Sequence, residues 1–424
     1  MITYLLLFLV ALAIGMPIAL GLGIASLGYL LIEGHSHLLV AFPQRMIAGI
    51  DSFLLLTIPF FILAGNLMNA ANLTAQIVRC AQLLVGRVRG GLAVVNVVAS
   101  QLFSGISGAA TSEASAIGSL MIPAMKKDGY KPAYAAALTA TGSLLGPLIP
   151  PSLPLILYGV LTGTSIGDLF LAGILPAFLL ASLLIVYALW KAKVEDHPVP
   201  PLMPKEERGG VVIAAIPAIL LPLIIVVGIR SGVFTPTEAA AVACFYALAL
   251  GLFFYRSLSL AALRRCLFET ATMSAGVMMV VAMASMTAFV LGIESIPAQV
   301  ASGILSLTDS PLMIILLLNV ILLILGLFLE PLAAMILVMP VLSALGPTIG
   351  MDPVQLGVMV VLNLMIGMIT PPVGLVLFIV SAIARSPLES VSRAALPLIG
   401  LCVIVLGLVA TVPQLSLFLP GLFH

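Results

Sequence analysis

The residues best suited to chemistry lie in two short segments of this 424-residue chain. Gly146-Pro147-Leu148-Ile149-Pro150-Pro151 recurs in pattern as Gly367-Met368-Ile369-Thr370-Pro371-Pro372, 221 positions later. At that offset Ser165 falls on Ser386, Asp168 on Glu389 and Pro176 on Pro397. A Pro-Pro pair removes two backbone donors and breaks a helix. Both segments sit inside long apolar runs, and in hydrocarbon a broken helix persists only where it is buried in protein or lines a watery cavity. The chemistry on offer is ion and carboxylate binding. Unwound carbonyls coordinate a small hard cation, and helix N-termini favour an anion. Matching breaks in two halves point to the binding site of a secondary transporter.

Other oxygen donors cluster where the chain must turn. Ser104, Ser107 and Thr111 flank a small-residue stretch, and Gly326 occupies the comparable place in the second half. Glu113 and Glu330 differ by 217, as do Pro123 and Pro340. Carboxylates within apolar segments are functional suspects, as proton carriers, cation partners or helix caps. Glu238 reads differently: Thr235-Pro236-Thr237-Glu238 has the form of a capping box. The four histidines lie at segment ends or in the polar stretch, so none is placed as a general base or metal ligand. No G-x-x-x-x-G-K-[ST] loop exists, which argues against ATP hydrolysis by this chain, and no enzyme is expected. Cys80, Cys244, Cys266 and Cys402 are scattered and read as packing residues.

The elements that position these residues are membrane helices. The chain is 62% hydrophobic and 8% charged, against roughly 25% charged in soluble domains. Apolar runs of about 20 residues specify an all-α polytopic membrane protein rather than a barrel. The net charge of +1 offers no case for nucleic acid. Residues 191–210 hold four basic residues, four acidic ones and four prolines, and read as a linker between halves 1–190 and 211–424. Basic residues cluster at Arg79/Arg87/Arg89, Lys126/Lys127/Lys131, the linker, Arg256/Arg264/Arg265 and Arg385/Arg393, which places all of these, the linker included, in the cytoplasm. The span 91–127 leaves that side and returns to it, too short for two crossings, so a re-entrant hairpin is expected there, followed by a broken helix over 133–163. Acidic flanks place the hairpin expected over 310–350 on the opposite side, followed by a broken helix over 354–384. Amphipathic arms are expected at Leu38–Asp51 and Ser257–Thr270. Opposite orientation of matching parts means an inverted repeat.

Gly146 to Ser152, Tyr158, Ser165-Ile166-Gly167-Asp168-Leu169-Phe170, Gly232 to Ala240 and Thr370-Pro371-Pro372-Val373-Gly374 together resemble the large membrane subunit of tripartite ATP-independent periplasmic (TRAP) transporters, over nearly the whole chain. The resemblance implies an elevator-type fold and sodium-coupled uptake of an organic acid, such as a C4-dicarboxylate, sialic acid or another sugar acid. It implies a periplasmic binding protein, a small four-helix membrane subunit as a separate chain, and the bacterial inner membrane. It implies about two Na+ sites, the first at Ser104, Ser107, Gly146, Ile149 and Pro151, the second at Gly326, Gly367, Thr370 and Pro372. Solute contacts fall to Ser107, Thr111, Ser152, Thr370 and Pro372. A standalone sodium-coupled carboxylate carrier needing no binding protein is the alternative; the Thr235–Glu238 and Ser165–Phe170 segments argue against it.

Overall fold

A computed structural model describes residues 2–200 and 203–422, with all side chains there except those of Ser107, Ala344, Pro347 and Thr348. Among the described residues the regular structure is entirely helical. In the first half, α1 (Ile2–Ala13) packs on α2 (Ile18–Ile32), and α3 (Ala41–Ile50) is a short lateral helix. Then come α4 (Thr57–Ala70), α5 (Leu73–Val85), the pair α6 (Gly91–Ser107) and α7 (Ala110–Lys127), α8 (Pro132–Gly142), α9 (Leu153–Thr162) and α10 (Ile166–Val194). The second half holds α11 (Lys205–Arg230), α12 (Pro236–Ala249), α13 (Leu260–Ile293), α14 (Ile296–Leu307), the pair α15 (Pro311–Phe328) and α16 (Pro331–Ile349), α17 (Pro353–Gly367), α18 (Leu375–Ala384), α19 (Leu388–Thr411) and α20 (Gln414–Gly421).

Among the described residues seven helical segments are long and apolar enough to cross a membrane. Their outer faces stay apolar: Phe178, Leu223, Leu316 and Ile404 are all exposed. That is the surface of a protein whose solvent is hydrocarbon. Inside, small residues let helices approach closely. α8 is buried along nearly its whole length, with Ala135, Ala136, Ala137 and Ala140 at the centre of the packing between α7 and α19. Lys126 Nζ donates to the Ala384 carbonyl at 2.7 Å, tying the end of α7 to the end of α18.

Two details differ from the sequence reading. The segment Ser257–Thr270 is not a separate arm beyond its first residues. It runs into α13 as one 34-residue helix, capped by the Ser259 hydroxyl on the Ala262 amide, because no proline and no glycine before Gly276 interrupts it. The capping box at Thr235 is present, with Glu238 N–H donating to Thr235 Oγ1 and Thr235 N–H donating to Glu238 Oε2. The polar linker is also shorter than its composition indicated, since α10 extends to Val194 and α11 starts at Lys205.

The linker is clamped. His197 is buried against the rings of Tyr130 and Tyr134, and its Nε2 lies 3.2 Å from Glu195, which also meets Lys131 and Lys191. Burial holds the His197 imidazole below its usual range, although Glu195 opposes this. Burial pushes the Glu195 carboxyl up, but Lys131 and Lys191 outweigh it and hold the carboxyl below the usual carboxylate range. Each group binds protons less readily folded than unfolded, so both lose their stabilising contribution as the pH falls. The His197 contribution declines as the pH drops through about 6.5, and that of Glu195 is lost at lower pH. Limited proteolysis of residues 195–204 should therefore accelerate on acidification from pH 8 to about pH 5.5. An unchanged cleavage rate across that range would count against the clamp.

Candidate functional site

Each broken helix meets a helix pair. α6 and α7 turn at Gly108-Ala109. Gly108 has φ +60°, which only glycine adopts at little cost, and a Cβ there would collide with the Pro151 carbonyl oxygen. Its own carbonyl accepts from the Leu153 amide at 3.3 Å. The first turn is thus seated on the first break. In the second half α15 and α17 approach at backbone contact. A Cβ on Gly367 would lie 2.5 Å from the Gly326 carbonyl carbon. Gly326 flanks the turn rather than forming it, because α15 continues to Phe328 and the turn falls at Leu329-Glu330.

The breaks dispose of their backbone groups differently. In the first, Pro150 and Pro151 would be the helical donors for Gly146 and Pro147. The Pro147 carbonyl instead accepts from Ser152 Oγ at 2.5 Å, and Ser152 Oγ in turn accepts from the Leu155 amide at 3.2 Å. Ser152 is therefore the N-cap of α9, fully buried, and lines none of the cavities described below. The Ile149 amide bonds to the Leu145 carbonyl at 3.1 Å. In the second break the Gly367 carbonyl accepts from Thr370 N–H and the Met368 carbonyl from Val376 N–H, at 3.1 and 3.0 Å. Thr370 Oγ1 donates to the Ile366 carbonyl at 2.7 Å, and Pro372 is exposed. Both Pro–Pro peptide bonds are cis.

The acidic residues also part company. Glu330 caps α16, accepting from the Leu332 and Ala333 amides at 3.2 and 3.4 Å. Glu113 is fully buried, with Ser104 Oγ 3.2 Å from its Oε2, and Ser104 also donates to the Ser100 carbonyl at 2.7 Å. A Cβ on Gly146 would run into Glu113 Oε2. Ser104, Gly146 and Glu113 are thus brought together. Ser107 ends α6, and its side chain lies outside the described residues. Among the described residues no group of three His, Cys, Asp or Glu could hold a metal. The local donors are carbonyl, hydroxyl and carboxylate oxygens, which suit a hard cation rather than a transition metal.

Both turns and both breaks converge on a narrow space of about 40 Å³ bordered by Thr111, Pro147, Leu153, Pro331 and Met365. A wider cavity of about 550 Å³ continues from Thr111 between α7 and α4. One wall carries Thr111, Ser112 and Ser115, and the other Asn66, Asn69 and Asn72. None of its lining residues is charged. Asn66 Nδ2 is held by Thr270 Oγ1 at 3.0 Å, and Asn69 Oδ1 accepts from Thr74 Oγ1 at 2.9 Å. The sequence reading missed these asparagines. Their signal was present, as Asn66 and Asn69 stand three apart on one face of an apolar helix with Asn72 just beyond it. Among the described residues α16 leaves no matching gap toward α13 and α14, on which it packs directly, while a cavity of about 640 Å³ borders it against Thr162, Thr164 and Asp352.

The arrangement is that of a multi-pass membrane protein with a polar pocket built at interrupted helices. Comparisons with known proteins identify the family. Residues 5–415 match the family model described as "Tripartite ATP-independent periplasmic transporter, DctM component". The sialic acid TRAP transporter large permease protein SiaM of Vibrio cholerae is 41% identical over 409 residues, covering 96% of each chain. The C4-dicarboxylate TRAP transporter large permease protein DctM of Pseudomonas aeruginosa is 38% identical over 371 residues, covering 88% of this chain and 87% of that one. Among solved structures, the YdaH transporter of Alcanivorax borkumensis shares the fold, with TM-score 0.61, 14% identity and coverage of 89% and 88%. The chain belongs to the DctM family of TRAP transporter large permease subunits. It is a transport subunit and not an enzyme.

Proposed function

We propose that this subunit imports an organic acid across the bacterial inner membrane on a sodium gradient, by elevator movement of the two hairpins and two broken helices against the remaining helices. Residues 1–190 and 211–424 form inverted repeats joined by a cytoplasmic linker, with α6–α7 and α15–α16 as re-entrant hairpins entering from opposite sides. The observation that carries this reading is the convergence of both hairpin turns and both breaks on one place. Na+ is bound by oxygen at the turns and breaks that flank this space, at Ser104, Ser107, Gly146, Ile149 and Pro151 in one half and Gly326, Gly367, Thr370 and Pro372 in the other. The solute carboxylate sits beside Thr111, where the N-terminus of α7 favours an anion. The names of relatives make sialic acid and C4-dicarboxylates the first acids to test. The partners are a periplasmic binding protein that delivers the acid and a small four-helix membrane subunit.

The difference in packing between α7 and α16 supports an inward-facing state. α7 stands off from α4 across the 550 Å³ cavity, whereas α16 is packed on α13 and α14. With basic residues on the cytoplasmic side, the polar cavity is the inward release route. Ser115 is exposed in its wall, so Ser115→Trp should fill the route. It should strongly reduce uptake by obstructing the route, while sodium binding persists. Normal uptake by this variant would place the route elsewhere.

The function is tested by uptake into proteoliposomes holding this chain and its small subunit. Each candidate acid is supplied with its binding protein, with and without an inward sodium gradient. Accumulation that needs both supports the reading. Sodium-driven accumulation without any binding protein would replace it with a standalone carrier.

A further inference from the structure

We infer that Glu113 is a charged ligand of the coupling sodium at the first hairpin, an inference that rests on the sodium-coupled reading above. Glu113 is wholly buried in α7 and forms no ion pair with any described basic residue. Its Oε1 has no hydrogen-bond partner, and its Oε2 meets only the Ser104 hydroxyl, at 3.2 Å. The buried Ser100 hydroxyl, one turn before Ser104, also has no hydrogen-bond partner. A buried carboxylate left in this condition is costly unless a proton or a cation neutralises it.

The surroundings favour a cation. Gly146 abuts Oε2 so closely that a methyl there would push the carboxylate aside. Its carbonyl has lost its helical donor to Pro150. A carboxylate and a hydroxyl therefore meet against Gly146, the residue of the first break whose carbonyl has no helical donor, and small hard cations take such oxygen donors. Glu330, at the corresponding position of the second hairpin, is different, because two backbone amides of α16 already satisfy it. The two sites then differ in character, and the first carries the negative charge.

The test is sodium-dependent thermal stabilisation of the purified complex of this chain with its small subunit, titrated with NaCl against choline chloride at constant ionic strength. Wild-type protein should show saturable stabilisation. Glu113→Gln keeps the shape and a partner for Ser104 but removes the charge. It should raise the sodium midpoint of the first site by about tenfold or more, the worth of one charge-assisted contact. Gly146→Ala, whose methyl displaces the carboxylate, should raise it as well, and this variant carries the test if Glu113→Gln does not fold. Ser104→Ala should have a smaller effect, since the charge remains. A wild type indifferent to sodium overturns the coupling reading and this inference with it. A responsive wild type whose Glu113→Gln variant responds identically overturns the role of Glu113 alone, as does an unchanged midpoint in Gly146→Ala when that variant carries the test.

Discussion

Replacing Pro150 and Pro151 together by alanine is expected to abolish sodium-driven uptake while leaving membrane insertion intact. Alanine restores two amide donors in an apolar run where Pro147 and Pro154 remain, and in hydrocarbon each added helical bond is strongly preferred. The regained amides would capture the carbonyls of Gly146 and Pro147. That would remove oxygens from the break and free Ser152 from its bond to Pro147. The Gly108 carbonyl would lose the Leu153 amide on which the first hairpin turn rests. The same replacement at Pro371 and Pro372 is expected to act alike, by closing the interval between α17 and α18. Removing an interior proline is worth about 3 kcal/mol to helix formation, enough to shift a local equilibrium more than a hundredfold. The check is uptake into proteoliposomes, with surface expression and a melting curve as controls. Uptake at the wild-type rate by both double variants would contradict the site assignment.

Gly367→Val is expected to cause the second large loss. Gly326 and Gly367 meet backbone to backbone, so an added side chain has no flexible neighbour to push aside. The α15–α16 hairpin must move off α17, at a cost of about 1–3 kcal/mol for overpacking. Uptake should fall by more than about tenfold, since the displaced turn no longer meets the break across the 40 Å³ space. Gly276→Ala provides the comparison: it lies in α13 with nothing within 4 Å of an added methyl, and the change should be neutral or slightly stabilising. Equal uptake by Gly367→Val and the wild type would mean that close approach of hairpin and break is not required.

Local rules expose some of this protein in its sequence and hide the rest. The breaks at Pro150-Pro151 and Pro371-Pro372 are legible because proline acts on its own backbone, whatever surrounds it. The Thr235–Glu238 capping box is legible for the same reason. Ser259, by contrast, starts a helix that runs for 34 residues, and no local signal distinguishes an arm from the first turns of a long span. The second turn falls past Gly326 because Gly326 is needed for contact with Gly367, 41 positions away, and not for chain reversal. Ser152 is drawn into capping by a carbonyl that Pro151 leaves without a donor, a consequence visible only once the break has a shape. The asparagine wall is a tertiary feature as well. Asn66 and Asn69 stand out as polar residues in an apolar helix, but that they face Thr111 and Ser115 depends on how far α7 stands from α4. The unequal fates of Glu113 and Glu330 could not be read from their matching positions, since two amides satisfy Glu330 while Glu113 is buried with only the Ser104 hydroxyl on one oxygen and nothing on the other.

Sodium coupling is most directly tested by following labelled sodium and labelled acid together in proteoliposomes that hold the complex, with the binding protein outside. Acid-dependent sodium influx at a fixed ratio to acid uptake, lost in the Pro150/Pro151 double variant, is the predicted result. Acid accumulation with no accompanying sodium movement would contradict sodium coupling at the hairpins and breaks.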